Sequence, residues 1–549
     1  MAVPEFIPVG SLPHINGSFT DLYRDYISEF KNVQQYYQTD FHSLQHIPSI
    51  AERRKSQVRD RSVLVEVLRE QNTLFGAGAR TFDNIGLLSD EKTFAVVTGQ
   101  QVGLFGGPLY TIYKAITALK LAETLTNENP GFHFVPVFWL EAEDHDFEEI
   151  GKVGVLNTEG SPVVIPYPLA AKDAGKNLGA VGEIPLGEGI ESVYAELQTA
   201  MSNSEFKQPL FNLLRKFYHP SATFSTSFAG FLNTLFEDKG LIFISPNDKR
   251  FKQLLSPLFQ KEIREYPRVS QLIIRQSAKL EERYHAQIKT KALNLFYFHK
   301  GGRYFIEPRE TDFSLRGTRH FIPKEELLRV AVEQPELLSP NVALRPICQD
   351  MLLPTVAYVA GPSEVAYFAQ LQEVYRYFDL TMPMIYPRAT ATIAEERMEK
   401  ILERYELTVE DVFSRPEEIQ RKVLGVLAEV NIEEMFTRVR GAIRDQMNEM
   451  KFGINYIDPT LTGTLEHTHQ RIDSQIAAFQ EKVIAAQQRK HETALRQIEK
   501  VKHTLFPRDN FQERELSIIH FMNKHGLEFV RFLYGELQIG NFQHQIIRV

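Results

Sequence analysis

The sequence predicts an α/β fold, a doubly wound parallel sheet covered by helices, followed by a long antiparallel α-helical coiled coil. Three observations carry this reading. Near-continuous apolar runs, TFAVV (93–97), FVPVFWL (134–140), LIFISP (241–246) and MPMIYP (382–387), alternate with amphipathic stretches, the pattern of strands buried on both faces. From residue 395 onward the chain reads as helical and highly charged, with apolar positions recurring mostly every three or four residues. At 549 residues, with 43% hydrophobic and 24% charged side chains, it is globular in balance and too long for one ordinary core.

Taken in order, residues 1–92 read as a mostly helical segment packing on the core, as in DLYRDYISEF (21–30) and SQVRDRSVLVEVLREQ (56–71). Residues 93–394 form the sheet-bearing core. The strand spacing is irregular, which places insertions at about 151–240 and 264–340, the second holding the hairpin-like LFYFHKGGRYFIEP (295–308) with a Gly-Gly turn. Residues 395–510 make the arm. Its first helix, 416–452, carries Ile419, Val423, Val426, Val430, Met435, Val439, Ile443, Met447 and Met450, and GINYIDPT (453–460) breaks it. The second runs from Ile472 to Leu505 with a phase slip around QQRKHE (487–492). A continuous helix of about 45 residues would reach about 65–70 Å. Such an arm must bury its stripe on its partner helix and on another chain, so a homodimer is expected. Residues 511–549 end in GNFQHQIIRV, which has strand character and is expected to rejoin the core.

Composition excludes several classes. The net charge of −8 argues against a nucleic-acid partner held on a general basic surface. A single cysteine, Cys348, leaves no disulfide framework and no Cys-rich zinc site, so no zinc is expected. MAVPEFIPVG does not read as a signal peptide, and no apolar run of about 18 residues is present to span a bilayer. The expected location is the cytoplasm, with no membrane partner.

Three stretches carry polar groups where open α/β sheets bind ligands, at the carboxyl ends of strands. TGQQVGLFGGPLYTIYKA (98–115) fits neither G-x-G-x-x-G nor a Walker loop. Its Gly99, Gln100, Gln101, Gly106 and Gly107, with Lys114 two turns into the helix, read either as an anion cradle at a helix N-terminus or as a tight strand-to-helix crossover. Pro108 suits the first turn of that helix. FVPVFWLEAEDHDFEEI (134–150) sets an acidic run directly after a buried strand. Asp144, His145 and Asp146 suit binding an amino group, orienting a base or holding Mg²⁺, whereas Glu148 and Glu149 read as a solvated face. Asn341, Arg345, Gln349 and Asp350 thread an apolar segment, as a lined pocket or a structural hydrogen-bond network. In VAGPSE (359–364), Ser363 reads as an N-cap with Glu364 in the first turn, and Arg388 follows the last core strand as a carboxylate or phosphate partner. Cys348 reads as a buried thiol.

The same strings, TGQQVGLFGGPLYTIYKA, VFWLEAEDHDFEEI and NVALRPICQDMLLPTVAYVAGPSEVAYFAQL (341–371), together with SLPHINGSFTDLY (11–23) and the arm, resemble the bacillithiol biosynthesis cysteine-adding enzymes over essentially the whole chain. That resemblance implies a Rossmann-like core similar to class I aminoacyl-tRNA synthetases, connecting-peptide insertions and a dimerising coiled coil. It implies a cysteine ligase that joins cysteine to the amino group of glucosaminyl malate, with ATP activating the carboxylate. The Gly99–Gly107 loop would line the nucleotide or anion site. Asp144, His145 and Asp146 would orient amines or bind Mg²⁺, and Asn341, Arg345, Glu364 and Arg388 would recognise polar substrates. Neither HIGH nor KMSKS, the nucleotide signatures of class I synthetases, occurs in the chain, so their mechanism enters as analogy. The alternative is a non-catalytic nucleotide-binding scaffold whose coiled coil recruits other enzymes.

Overall fold

Five parallel strands organise the larger of two compact units, and their order is that of a Rossmann sheet. The computed structural model describes residues 5–13, 19–57, 60–169, 175–428 and 432–549. Residues 14–18 of the SLPHINGSFTDLY stretch and Val430 of the arm's apolar set lie outside the described residues. One unit comprises Met1–Ile393 with Asn510–Ile547, and the other Ala394–Asp509 with Arg548–Val549.

In the first unit the core strands are β1 (Thr93–Gln101), β2 (His133–Glu141), β3 (Ile242–Ile244), β4 (Thr355–Ala360) and β5 (Met384–Pro387). Their spatial order is β5-β4-β1-β2-β3, with every neighbouring pair parallel. The order reverses between β1 and β4, and that switch point is where such sheets open a crevice for ligands. β1 and β2 pair without slip from Thr93↔His133 to Gln101↔Glu141, so their carboxyl ends finish side by side. Residues 94–97 and 135–140 are all buried, as near-continuous apolar strands require. Helix α1 (Tyr110–Glu128) crosses from β1 to β2 and buries residues all around its first three turns. Helices α2 (Arg345–Leu352) and α3 (Pro362–Phe368) flank β4.

The glycine-rich stretch divides into two parts. β1 extends through Gln101, so Gly99, Gln100 and Gln101 are strand residues. A Cβ on Gly99 would stand 2.9 Å from the Trp139 carbonyl oxygen, so the close approach of β1 and β2 there requires glycine. The chain then turns through Phe105 (φ 50°), Gly106 (φ 85°) and Gly107 (φ 69°). Pro108 lies two residues ahead of α1, bridged to Ser517, and not in the helix's first turn as the sequence predicts.

Between β3 and β4 an antiparallel sheet is ordered Phe321–Ile322, Asp312–Leu315, Gly302–Arg309, Leu295–His299, Leu338–Pro340. The hairpin register pairs His299 with Gly302, so the reversal is made by Lys300 and Gly301, both at positive φ, and not by Gly301–Gly302. The strand His544–Arg548 pairs with Glu5–Ile7 in a further antiparallel sheet.

The second unit is helical. α4 (Ile432–Ile457) and α5 (Thr462–Lys490) form the antiparallel hairpin, and α6 (Glu492–Leu505) continues it. Three predictions need correction. The first helix does not run unbroken from 416: Pro416–Leu427 is a separate helix that ends at the extended Ala428, and α4 begins at Ile432. Gly453 does not end the first helix, which runs on to Ile457 until Asp458–Pro459 removes the next donor. The second helix is not continuous: it breaks at His491, where the apolar phase slips, giving 29 and 14 residues. The pair is tied by Lys451–Glu466 at 2.6 Å and by Phe436 against Phe479 at 6.0 Å. Val439, Met450, Phe452 and Phe479 nevertheless stay exposed, at 44, 52, 82 and 61%. No described helix is long and apolar enough to cross a membrane.

Candidate functional site

A cavity of about 550 Å³ opens over the carboxyl ends of β1, β2 and β4, at the switch point. Strand geometry brings distant stretches together there. β1 contributes Gly99, Gln100 and Gln101, and β2 contributes Trp139 and Glu141, with Asp144 and His145 just beyond. α1 supplies Tyr110 and Lys114, the segment leading into α2 supplies Asn341 and Arg345, and the β4–α3 turn supplies Tyr358, Gly361 and Glu364. Arg388 follows β5.

Lys114 and Glu364 form the floor of the site. The ammonium lies 2.5 Å from Glu364 Oε2 and donates to the Gly99 carbonyl (2.8 Å) and to Gln100 Oε1 (3.2 Å). All three of its donors are thereby engaged, so Lys114 sets the local field and does not itself grip a ligand. Burial lowers its pKa, and Glu364 opposes that shift. The Glu364 carboxylate also accepts from Gly361 N–H (2.7 Å) and Tyr358 O–H (2.7 Å). Burial pushes its pKa up, but Lys114 and these donors outweigh burial and hold it below the ordinary carboxylate range. The N-cap of α3 is therefore Gly361, with Pro362 and Ser363 in the first turn, and Glu364 closes the cap from the third position, so Ser363 is not the cap the sequence predicts.

The acidic run splits by geometry. Asp144 accepts from Gln101 Nε2 (2.6 Å) and its neighbour's amide, His145 N–H (2.7 Å), and lies 3.4 Å from Arg303 Nη1. Burial would raise its pKa, yet His145, Arg303 and Gln101 together hold it well below the ordinary range. His145 Nδ1 sits 3.3 Å from Arg303 Nη1 at the cavity wall. Asp146 is not part of the lining: it caps the short helix Phe147–Ile150 by accepting from Glu149 N–H at 3.2 Å. Glu149, read from the sequence as solvated face, reaches the cavity rim, and burial raises its pKa. Glu143 turns into the core and pairs with buried Lys252.

Gly106 and Gly107 stand away from the cavity. Gly106 N–H donates to Tyr218 O–H at 3.1 Å, Gly107 N–H to the Leu104 carbonyl at 2.9 Å, and a Cβ on Gly106 would press on Phe231 and Leu232 at 3.3 Å. These glycines serve the turn, so the cradle reading rests on Gly99 to Gln101 alone. Asn341 lines the cavity, but its side chain is engaged by Asn294 and by Ala343 and Leu344 N–H. Arg345 donates to Gln349 (3.0 Å) and Tyr367 O–H (2.9 Å) and stands 3.7 Å from Glu141. Gln349 and Asp350 continue inward as a buried network ending on Tyr375 O–H. Arg388 faces the cavity while paired at 2.5 Å with buried Glu513 from the C-terminal segment. Cys348 is buried, and burial pushes its thiol up, which removes it as a nucleophile.

Arg303, Lys289, Lys291 and Arg514 also line the site and were missed from the sequence. Arg303 is buried, fixed by Ser339 Oγ (2.9 Å) and the Pro340 carbonyl (2.8 Å), with its guanidinium 3.8 Å from the Phe296 ring centre. Strand alternation sends Arg303 and Phe305 to one face, the signal that stretch held, whereas Lys289 and Lys291 lie in irregular chain ahead of the Leu295–His299 strand. The Lys289, Lys291 and Arg514 side chains form no hydrogen bond or ion pair with any described residue. In all, seven Lys and Arg side chains face four carboxylates, a surplus suited to anionic ligands. Among the described residues no group of three His, Cys, Asp or Glu side chains is placed to hold a metal ion.

Comparison with known proteins agrees with this architecture. A family model described as the bacillithiol biosynthesis BshC N-terminal Rossmann-like domain matches residues 11–389, and one described as the BshC C-terminal coiled-coil domain matches residues 391–549. A curated relative from Salinibacter ruber, named "Putative cysteine ligase BshC", is 38% identical over 98% of this chain and 98% of its own. A relative of the same name from Chloroherpeton thalassium is 36% identical over 98% of this chain and 99% of its own. A solved chain from Campylobacter jejuni described as a "putative arginyl t-RNA synthetase" is 8% identical, covering 84% of this chain and 99% of its own, and its TM-score of 0.19 is too low to bear on the fold. With both domain models matched and full-length relatives above 30% identity, the chain belongs to the bacillithiol biosynthesis BshC family.

Proposed function

We propose that this chain is a carbon–nitrogen ligase that adds cysteine to the amino group of glucosaminyl malate, completing bacillithiol, with ATP activating the cysteine carboxylate. The observation that carries the reading is the charge pattern at the switch point: an anion-attracting cavity whose ionised carboxylates, Asp144 and Glu364, are fixed by protein donors. Both the nucleotide phosphates and the two carboxylates of a malate group are anions that such a surplus of cations favours. Lys289, Lys291 and Arg514 are the cations with donors to give them. Gly99, Gln100, Gln101 and Lys114 wall the nucleotide side. Asp144, with His145, orients an amine, a role for which its low pKa keeps it anionic. Arg345, Glu364 and Arg388 shape the polar floor, with Asn341 positioning α2.

A protein-held Mg²⁺ does not fit the described residues, because the oxygens of Asp144 are engaged by Gln101, His145 and Arg303. Any Mg²⁺ would enter with the nucleotide, coordinated mainly by phosphate and water. The exposed stripe of the arm supports homodimerisation, and the proposed location is the cytoplasm.

Purified protein incubated with cysteine, glucosaminyl malate and ATP is expected to yield the amide, detected by mass spectrometry. Asp144→Ala separates this from the scaffold alternative: it should abolish product while leaving folding and self-association intact. A folded protein that never forms the amide contradicts the proposal.

A further inference from the structure

Building on the ligase reading above, we propose that Glu141 is the proton acceptor for the amine that attacks the activated acyl group, with Asp144 as the fixed anion beside it. Four carboxylates line the cavity; two are held by protein donors and a third stands at the exposed rim. Glu364 is held by Lys114, Gly361 N–H and Tyr358 O–H. Asp144 is held by Gln101, His145 N–H and Arg303. Glu149 is itself exposed, on the four-residue helix at the rim. Glu141 is different in kind. It ends β2 at the sheet's carboxyl edge, it is half-buried and open to the cavity, and its one ion-pair partner, Arg345 Nε, stands 3.7 Å away, beyond hydrogen-bond reach. Its carboxylate accepts no hydrogen bond from a described residue, so a lone pair is open to a substrate N–H.

The electrostatics agree with the geometry. Burial pushes the Glu141 pKa up to about 7; Arg345 and Arg303 pull it down, and Asp144 and Glu143 push it further up. Asp144, three residues on, is held far below it. Two carboxylates whose environments drive their pKa values apart mark a division of labour, one exchanging protons near neutrality and the other staying charged.

A neutral amine carries two N–H protons. As its lone pair forms the C–N bond, the bond from the acyl carbon to the phosphoryl oxygen breaks and the phosphate leaves with that electron pair. One N–H proton stays in the amide and the other passes to Glu141, which returns it to water. The co-reactant is a nucleoside triphosphate, consumed in the preceding activation.

Two measurements on the full-length chain test this. Infrared difference titration of wild type against Glu141→Gln should show a carboxyl group titrating near pH 7 that the variant lacks. An ordinary carboxylate midpoint near 4 overturns the proposal whether or not the amide is ever formed. With cysteine, glucosaminyl malate and ATP, Glu141→Gln should slow amide formation about 100-fold or more, as loss of a general base does. It should also remove the pH limb near 7 and leave the first round of cysteine-dependent nucleotide cleavage in place, with Glu141→Asp restoring part of the rate. Persistence of that limb in Glu141→Gln, or its loss in Glu149→Gln instead, overturns the assignment. Absence of product from wild type, with the titration near 7 intact, counts against the ligase reading and not against the Glu141 environment.

Discussion

Breaking the Lys114–Glu364 pair gives a quantitative handle on the site. Lys114→Met leaves Glu364 charged and buried beside two neutral donors, Gly361 N–H and Tyr358 O–H. Removing one partner of a buried pair costs about 3–5 kcal/mol, and the two surviving donors place this case near the lower figure, about 3 kcal/mol. Glu364→Gln leaves Lys114 its Gly99 and Gln100 acceptors and loses one charged hydrogen bond, so about 2 kcal/mol is expected. The double variant should cost about 3 kcal/mol, short of the sum by a coupling of about 2 kcal/mol. The assay is intrinsic: Trp139 is the sole tryptophan, 1% exposed in β2, so urea unfolding followed by its fluorescence reports the sheet core. The pH dependence has a definite sign. The folded pKa of Glu364 is depressed, so its contribution is present above the ordinary carboxylate value and lost as pH falls through the folded one. Wild type and Glu364→Gln should therefore converge in acid. Additive single effects, within about 0.5 kcal/mol, would refute a coupled pair.

Three further outcomes follow from the same geometry. Gly99→Ala forces a Cβ to 2.9 Å from the Trp139 carbonyl and should cost about 1–3 kcal/mol, read as a lower urea midpoint. Arg303→Met removes a cation that depresses Asp144, so Asp144 should titrate closer to about 3.9 and its stabilisation, present above that value, should shrink; the urea midpoints of variant and wild type should converge as pH falls below about 4. Phe479→Glu, on an exposed position of α5, should convert the proposed dimer to monomer in sedimentation without lowering the urea midpoint of the Trp139 core.

Much of this architecture was legible because buried parallel strands leave long apolar runs, and TFAVV, FVPVFWL and MPMIYP each mark a core strand. The site was legible only in part. Asp144, Lys114, Arg345, Glu364 and Arg388 stand at strand ends or on the helices beside them, and the fold gathers them at one cavity. Arg303 comes from an inserted sheet, and Lys289 and Lys291 from the irregular segment leading into it, whose approach to the switch point is a tertiary fact. Gly106 and Gly107 misled for the opposite reason: positive φ in a packed turn and a phosphate cradle draw on the same residue, and only the neighbours, Tyr218, Phe231 and Leu232, tell them apart. Glu141 was visible as one acid among six, and burial beside Asp144 is what sets it apart.

The most direct test of the central proposal, acyl activation and amine attack within the cavity over β1, β2 and β4, is an isotope experiment. Cysteine labelled with ¹⁸O in its carboxylate is turned over with ATP and glucosaminyl malate, and the products are weighed by mass spectrometry. One label should remain in the amide carbonyl and one should appear in the phosphate or nucleotide released. An amide formed with no label in the phosphoryl product, or no amide from folded protein, would contradict it.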